Sequence, residues 1–386
     1  MATATFNISP NVANWLLGNG NRALLDDKTD KNIEKWQKGL AQPTYNQLLA
    51  ISKKLRIPLG FLFLNDPPNE QLPLMNFRTI DSTEFTGPSR ELIDTVHDME
   101  LIQDWMSNYL RREGYEPWDR YSMRVFDKLR LAKAVRDKLA ISDDWYRNST
   151  DAGTSFKYLR KKMEEMQILV MQNGVVGANT HRALNLQEFR AFTLMDKYAP
   201  LIFINGTDSI NGKLFSLLHE FVHVVLGKNS LFNDFGNNFH ISKLEIICNA
   251  VAAEVLAPDK EFIVEWNKRA GDKETEIIRG LARIFNCGEM VIARKALDNH
   301  KISSDFYAKF SGMVKAVFIK QKEKKSKGGD YYRTVETRLD KRFLRLIAND
   351  VKAGHTRPMD AYRLTNTTIK TFDAVMQKVF GEAYGR

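Results

Sequence analysis

The chain has 386 residues, 43% of them hydrophobic, which is enough for two or three domains with separate cores. Two cysteines, Cys248 and Cys287, exclude a disulfide scaffold and a cysteine-based zinc site, and they fit a reducing compartment. The net charge of +10 falls entirely within residues 301–386, where 12 Lys and 7 Arg stand against 9 acidic residues. With no signal peptide and no apolar run of membrane-spanning length in view, the expectation is a soluble, cytoplasmic protein with no membrane partner.

Residues 1–68 read as a small helical module. Leu48, Leu49, Ile51 and Leu55 form an amphipathic stripe after Pro43-Thr44, where Pro pre-sets a turn and Thr caps. Pro58 breaks the pattern, and Asn65-Asp66-Pro67-Pro68 closes the module. Residues 69–125 hold a Pro-rich connector and then a helix over about 90–112, with Leu92, Ile93, Val96, Met99, Ile102 and Trp105 at helical spacing. The helical period continues over 125–170 and then changes. Segments 167–171, 189–194 and 200–204 read as short strands. With the helix that follows, they predict a compact α+β unit over 126–300. Residues 321–329 are a charged, glycine-ended linker inside a basic helical region, 301–386. The predicted class is α+β, mostly helical.

Within residues 215–226, which contain neither Gly nor Pro, lies His219-Glu220-Phe221-Val222-His223. Residues i and i+4 share a helix face, so both imidazoles can reach one metal ion, and the adjacent Glu220 has the chemistry of a general base. A catalytic zinc needs a third protein ligand. The metzincin continuation fails, because Leu226 and Asn229 stand where Gly and His are required. A second helix after the Gly- and Asn-rich loop 227–241 offers Glu245, Asn249 and Glu254. At ~100° per residue Glu245 and Asn249 lie ~40° apart, whereas Glu254 lies ~180° from Glu245. We take Glu245 as the ligand, with Asn249 one turn on to hydrogen-bond a ligand histidine. Glu254 is the reserve ligand, and His240 can approach from its loop. Ser242-x-x-Glu245 also has the form of a capping box, which explains Glu245 without a metal.

Phe215-x-x-x-His219-Glu220-x-x-His223, followed by Glu245-x-x-x-Asn249-x-x-Ala252-Ala253-Glu254-x-x-Ala257-Pro258, resembles the ImmA/IrrE family of metallo-endopeptidases. The resemblance implies a gluzincin-like core that binds Zn2+ through His219, His223 and Glu245, with Glu220 as base. It also implies a protein substrate, a transcriptional repressor or antitoxin-like protein in phage, mobile-element or stress control. Val222 and Ala257 depart from the family pattern at packing positions. Residues 33–44 resemble the end of a Cro/C1-type (XRE) helix-turn-helix, and 72–79 the connector found in long family members. The first half of that module, 14–21, is glycine-interrupted and lacks a clear second helix. If the module binds DNA, Lys31, Asn32 and Lys35 are the candidate contacts. The other reading is a module that grips a protein partner.

Residues 281–294 also have helix-turn-helix spacing, read here as a helix pair closing the core. Residues 360–364 with 368–370 are similar, in a helical end suited to a partner or to dimerisation. The basic end suits nucleic acid, an acidic partner or a solvated surface. The strand near 201–205 is expected to pair with an extended substrate. The competing function is a DNA-binding regulator, or the antitoxin of a co-encoded toxin, with a latent or structural zinc site.

Overall fold

The structure, a computed structural model, describes residues 4–18, 25–68, 88–118, 127–232, 243–323 and 337–381, without the side chains of 231–232, 318–323 and 379. Two compact units divide the chain, one of residues 1–75 with 79–97 and one of residues 76–78 with 98–386.

In the first unit, α1 (Pro10–Leu17) starts with Pro at its first position after Ser9, whose hydroxyl accepts from Asn11 N. Helix α2 (Asp27–Gln37) is capped by Asp26, and α3 (Tyr45–Leu55) by a Thr44–Gln47 capping box. A 3-10 turn follows over Leu59–Phe63. Val12, Leu16, Ile33, Trp36, Leu48, Ile51, Leu55 and Leu62 form the core, so the stripe read after Pro43 faces inward. Between α1 and α2, residues 19–24 lie outside the described residues.

Helix α4 (Arg90–Arg112) leads into the second unit. Helices α5 (Lys128–Leu139) and α6 (Ala152–Glu165), each N-capped by an aspartate, precede the strands. The strands are β1 (Leu169–Asn173), β2 (Val175–Val176), β3 (Asn179–Ala183), β4 (Ala191–Leu194), β5 (Leu201–Asn205) and β6 (Ser230–Phe232). The main sheet runs β1-β5-β4-β6, with β1 parallel to β5 and β4 antiparallel to both β5 and β6. The β2–β3 hairpin stands apart, and it escaped the sequence reading because Asn-Thr-His-Arg-Ala of β3 is polar and mostly exposed. Gly206 is needed where β5 ends, because a Cβ there would sit 2.8 Å from the backbone of Asn173 and Gly174.

The sheet order corrects one expectation. Strand β5 lies inside the sheet with a partner on each side, so 201–205 cannot add a substrate strand. Its five buried residues, Leu-Ile-Phe-Ile-Asn, mark a strand enclosed on both faces rather than an edge.

The edges are β1 and β6, and β1 is covered. Asp340 Oδ2 accepts from Val170 N at 3.3 Å, while Arg160 donates to Val170 O, Leu339 O and Thr337 O at 2.8 Å each. Asp340 also caps the next helix by accepting from Phe343 N. That helix, α13 (Lys341–Lys352), with α14 (Pro358–Thr365) and α15 (Ile369–Phe380), forms the C-terminal end. Trp105 of α4 anchors it, through Nε1 to Thr356 Oγ1 at 2.9 Å and edge-on to Phe343.

Helices α7 (Ile210–Leu226), α8 (Lys243–Leu256), α9 (Asp259–Asn267), α10 (Glu274–Ile284), α11 (Glu289–Asp298) and α12 (Ser304–Glu323) complete the unit. Leu217, Leu218, Phe221, Val224 and Val225 put α7 at the centre of its largest core cluster. No helix among the described residues is long and apolar enough to cross a membrane.

Candidate metal centre

Helix α7 is fixed at both ends. Ser209 caps it by accepting from Gly212 N, and Gly227 at φ 67° stops it. Between them its residues from Ser216 to Val225 are all buried, so its polar side chains must find partners inside. His219 and His223 lie one turn apart, with their Nε2 atoms 3.2 Å from each other. Helix α8 brings Glu245 from its first turn. Its Oε2 is 3.0 Å from His219 Nε2, and its Oε1 is 3.2 Å from His223 Nε2.

These three are the group of metal-ligating type found among the described residues. They fit zinc on two counts. Two nitrogens and a carboxylate oxygen are its usual donors, and bonds of ~2.0–2.1 Å at tetrahedral angles set ligand atoms about 3.3 Å apart. Asn249 Oδ1 lies 2.9 Å from His219 Nδ1. An amide oxygen only accepts, so Nδ1 carries a proton, and Nε2, which faces Glu245, is the nitrogen that would take a metal. Burial pushes the Glu245 carboxyl up, but hydrogen bonds from His219 and His223 outweigh it and hold the group below its ordinary range. Burial likewise pushes His223 down, and hydrogen bonds to Cys248 and Glu245 hold it above its ordinary range.

Glu220 is fully buried beside the ligands. Its Oε2 accepts from Thr193 Oγ1 at 2.6 Å and from Ser230 Oγ, while Oε1 has no hydrogen-bond partner among the described residues. Thr193 of β4 and Ser230 of β6 face each other across the strand pair, so the sheet register sets both hydroxyls. Sequence reasoning missed them. The usable signal was a threonine inside the apolar run Ala-Phe-Thr-Leu, because a buried hydroxyl calls for a partner.

Glu254, the reserve ligand, is elsewhere. Its carboxylate takes Lys295 Nζ at 2.9 Å and Asp259 N at 3.1 Å, and Lys128 approaches to 3.7 Å. Half a turn of helix phase separates it from Glu245, which turns it toward α9 and α11. His240 and Ser242, hence the capping box, lie outside the described residues. In the first unit Lys31 and Lys35 of α2 are exposed and Asn32 is half-buried, with Asp27, Asp30 and Glu34 on the same helix. The pair α10–α11 has Ile277, Ile278, Leu281, Val291, Ile292 and Ala296 in the core.

An H-E-x-x-H helix joined by a glutamate from a second helix is a zinc-peptidase type of arrangement. Residues 163–297, which contain all of it, match the family described as the IrrE N-terminal-like domain, and this match suggests a metallopeptidase of the ImmA/IrrE type. A metal, typically zinc, goes with that type. Residues 339–378 match a domain of unknown function. No curated protein and no solved structure matches the chain. Neither family match touches residues 1–68, and nothing found supports a Cro/C1-type module there.

Proposed function

We propose that the chain is a zinc-dependent endopeptidase that cleaves a DNA-binding repressor or an antitoxin-like protein in phage, mobile-element or stress regulation. One observation carries the reading. Two imidazoles and a carboxylate converge within about 3 Å, beside a buried glutamate with one oxygen bound and the other left over. His219, His223 and Glu245 would hold the metal. Zinc, when bound, supplies Lewis acidity that lowers the pKa of a water toward ~7 and polarises the scissile carbonyl. Glu220 takes the proton of the attacking water at Oε1 and passes it to the leaving nitrogen, while Thr193 and Ser230 hold Oε2 still. Asn249 keeps the His219 ring in its ligand tautomer.

Among the described residues, the outer edge of β6 is where a substrate backbone would pair beside the base. Strand β6 is bonded to β4 on one side, and no strand lies on its other side among the described residues. Its first residue touches Glu220, so a segment added to this edge passes beside the base.

The test is cleavage of a co-encoded partner by the wild-type chain and by Glu220→Gln. The variant should keep zinc and fold yet lose at least ~10²-fold in rate, since general-base catalysis supplies ~10²–10⁴-fold. Equal cleavage by both forms would overturn the mechanism. A second reading, a DNA-binding regulator or antitoxin with a structural zinc, draws on the basic C-terminal end. Full regulatory activity in Glu220→Gln, with no cleavage of a co-encoded protein by either form, would select it.

A further inference from the structure

The C-terminal end of the chain contains a tight connection between two helices. Helix α14 has eight residues and ends at Thr365. Asn366 follows in the left-handed conformation at φ 51°. Thr367 and Thr368 complete a three-residue turn, and Thr368 caps α15 in a capping box with Thr371. Inside the corner, Ala361 and Thr365 of α14 meet Phe372, Val375 and Met376 of α15, all at most 2% exposed. Tyr362 packs edge-on against Phe372 at 5.3 Å, and the Thr365 and Thr367 hydroxyls lie 2.8 Å apart. Helix α13 lies behind both, with Arg345 over the Phe380 ring. Three helices, a turn of about three residues and a well-capped last helix are the elements of a DNA-reading corner.

The outer face of α15 agrees. Ile369, Lys370, Asp373, Gln377 and Lys378 are exposed, and an aliphatic residue as large as Ile369 is 59% accessible. The charge is one-sided. Across residues 339–378 seven Lys and Arg are exposed, against Asp360 and Asp373 as the exposed acids. The segment's other two acids are withdrawn. Asp340 caps α13 on the covered β1 edge, and Asp350 is held by Arg112 and by Thr356 Oγ1. The segment thus withdraws two of its four acids while seven of its eight Lys and Arg stay exposed.

We infer that α14 and α15 form a helix-turn-helix that binds duplex DNA, with the N-terminal turns of α15 entering the major groove. Lys370 meets a phosphate or a guanine edge, Ile369 offers an apolar contact of the kind a thymine methyl accepts, and Arg357 and Arg363 flank the backbone. This stands independently of proteolysis, because no residue in it belongs to the metal centre. It would place the enzyme on the same DNA as a repressor substrate.

The experiment uses the full-length chain and a fluorescent 40-base-pair duplex of mixed sequence, titrated at several salt concentrations. The variants are Lys370→Glu, Lys370→Arg and Lys161→Glu, the last an equal charge change on an exposed side chain of α6. We expect Lys370→Glu to weaken binding ~10-fold or more and to reduce the salt slope by about 1, with Lys370→Arg near wild type and Lys161→Glu changed less than about twofold. Selection from a randomised duplex library should yield a motif that Lys370→Glu blurs. The inference fails if the two glutamate variants weaken binding equally, or if selection yields no motif. It fails too if the wild-type chain ignores DNA but self-associates through a face that Lys370→Glu disrupts. Unchanged thermal melting of Lys370→Glu excludes unfolding as the cause of its effect.

Discussion

Glu245 and Glu254 sit on one helix, nine residues apart, and the structure gives them different neighbours, His219 and His223 for the first and Lys295 for the second. Replacing each by alanine should separate metal binding from stability. The Glu254 side chain is 4% exposed and neutralises Lys295, itself 5% exposed. Removing one partner of a buried ion pair costs ~3–5 kcal/mol. Lys295 keeps Asp259 at 2.6 Å, which softens the loss, while Asp259 N loses its acceptor. The balance is about 2–4 kcal/mol, or roughly a 1 M fall in the urea midpoint for a slope of ~2–3 kcal/mol/M. Zinc affinity should stay within about twofold. Glu245 is 30% exposed, so its removal should change metal-free stability by under about 1 kcal/mol. It should weaken zinc by more than about 100-fold, since losing even an outer-shell partner costs 10–100-fold. Urea unfolding in the presence of a chelator measures the first quantity, and competition against a chromophoric zinc chelator measures the second. A folded Glu254→Ala that loses zinc, or a Glu245→Ala that keeps it, would refute the assignment.

Two further outcomes are expected. Thr193→Val with Ser230→Ala should slow single-turnover cleavage of the substrate ~10–100-fold at unchanged zinc affinity, because Glu220 loses both donors that orient it; Thr193→Ser alone should stay near wild type, and an unaffected double variant would show the hydroxyls to be incidental. Glu164, pressed by burial and by nearby Asp340, is pushed up to about 7 despite Arg160. A carboxyl raised in the folded state contributes stability that is fully present below about pH 4.5 and is lost as pH rises through about 7. Wild type should therefore be on the order of 1–3 kcal/mol less stable at pH 8.5 than at pH 5.5 by urea unfolding, and Glu164→Gln should flatten that trend; parallel curves for the two would contradict it.

The proximity of His219, His223 and Glu245 was legible from sequence because helical phase is local. Two histidines four residues apart and a glutamate in the first turn of the next helix need no knowledge of the sheet. The phase argument that separated Glu245 from Glu254 is the same one the structure expresses through Lys295. What sequence did not show is non-local. Strand order cannot be read from four apolar residues and an asparagine, so 201–205 looked like an available edge when it was the interior of the sheet. Thr193 and Ser230 are 37 positions apart and become a pair only through the β4–β6 register. The tight corner at 358–380 was visible as spacing, but only the structure shows which of its residues are buried between the helices and that Lys370 and Ile369 are left exposed.

The strap at residues 337–340 has a consequence for how this protein can be divided. Asp340 takes Val170 N, and Arg160 bridges Val170 O to the strap's own Thr337 and Leu339 carbonyls, so backbone groups that an unpaired strand would offer to any passing chain are occupied. The segment recognisable by family likeness stops at residue 297, yet the sheet inside it is finished by residues 40 positions later. Gene fragments cut at the recognisable boundary should therefore yield sticky, edge-exposed products. Evolution, too, would face that cost in exchanging the C-terminal helices for another module, unless the replacement brought its own strap.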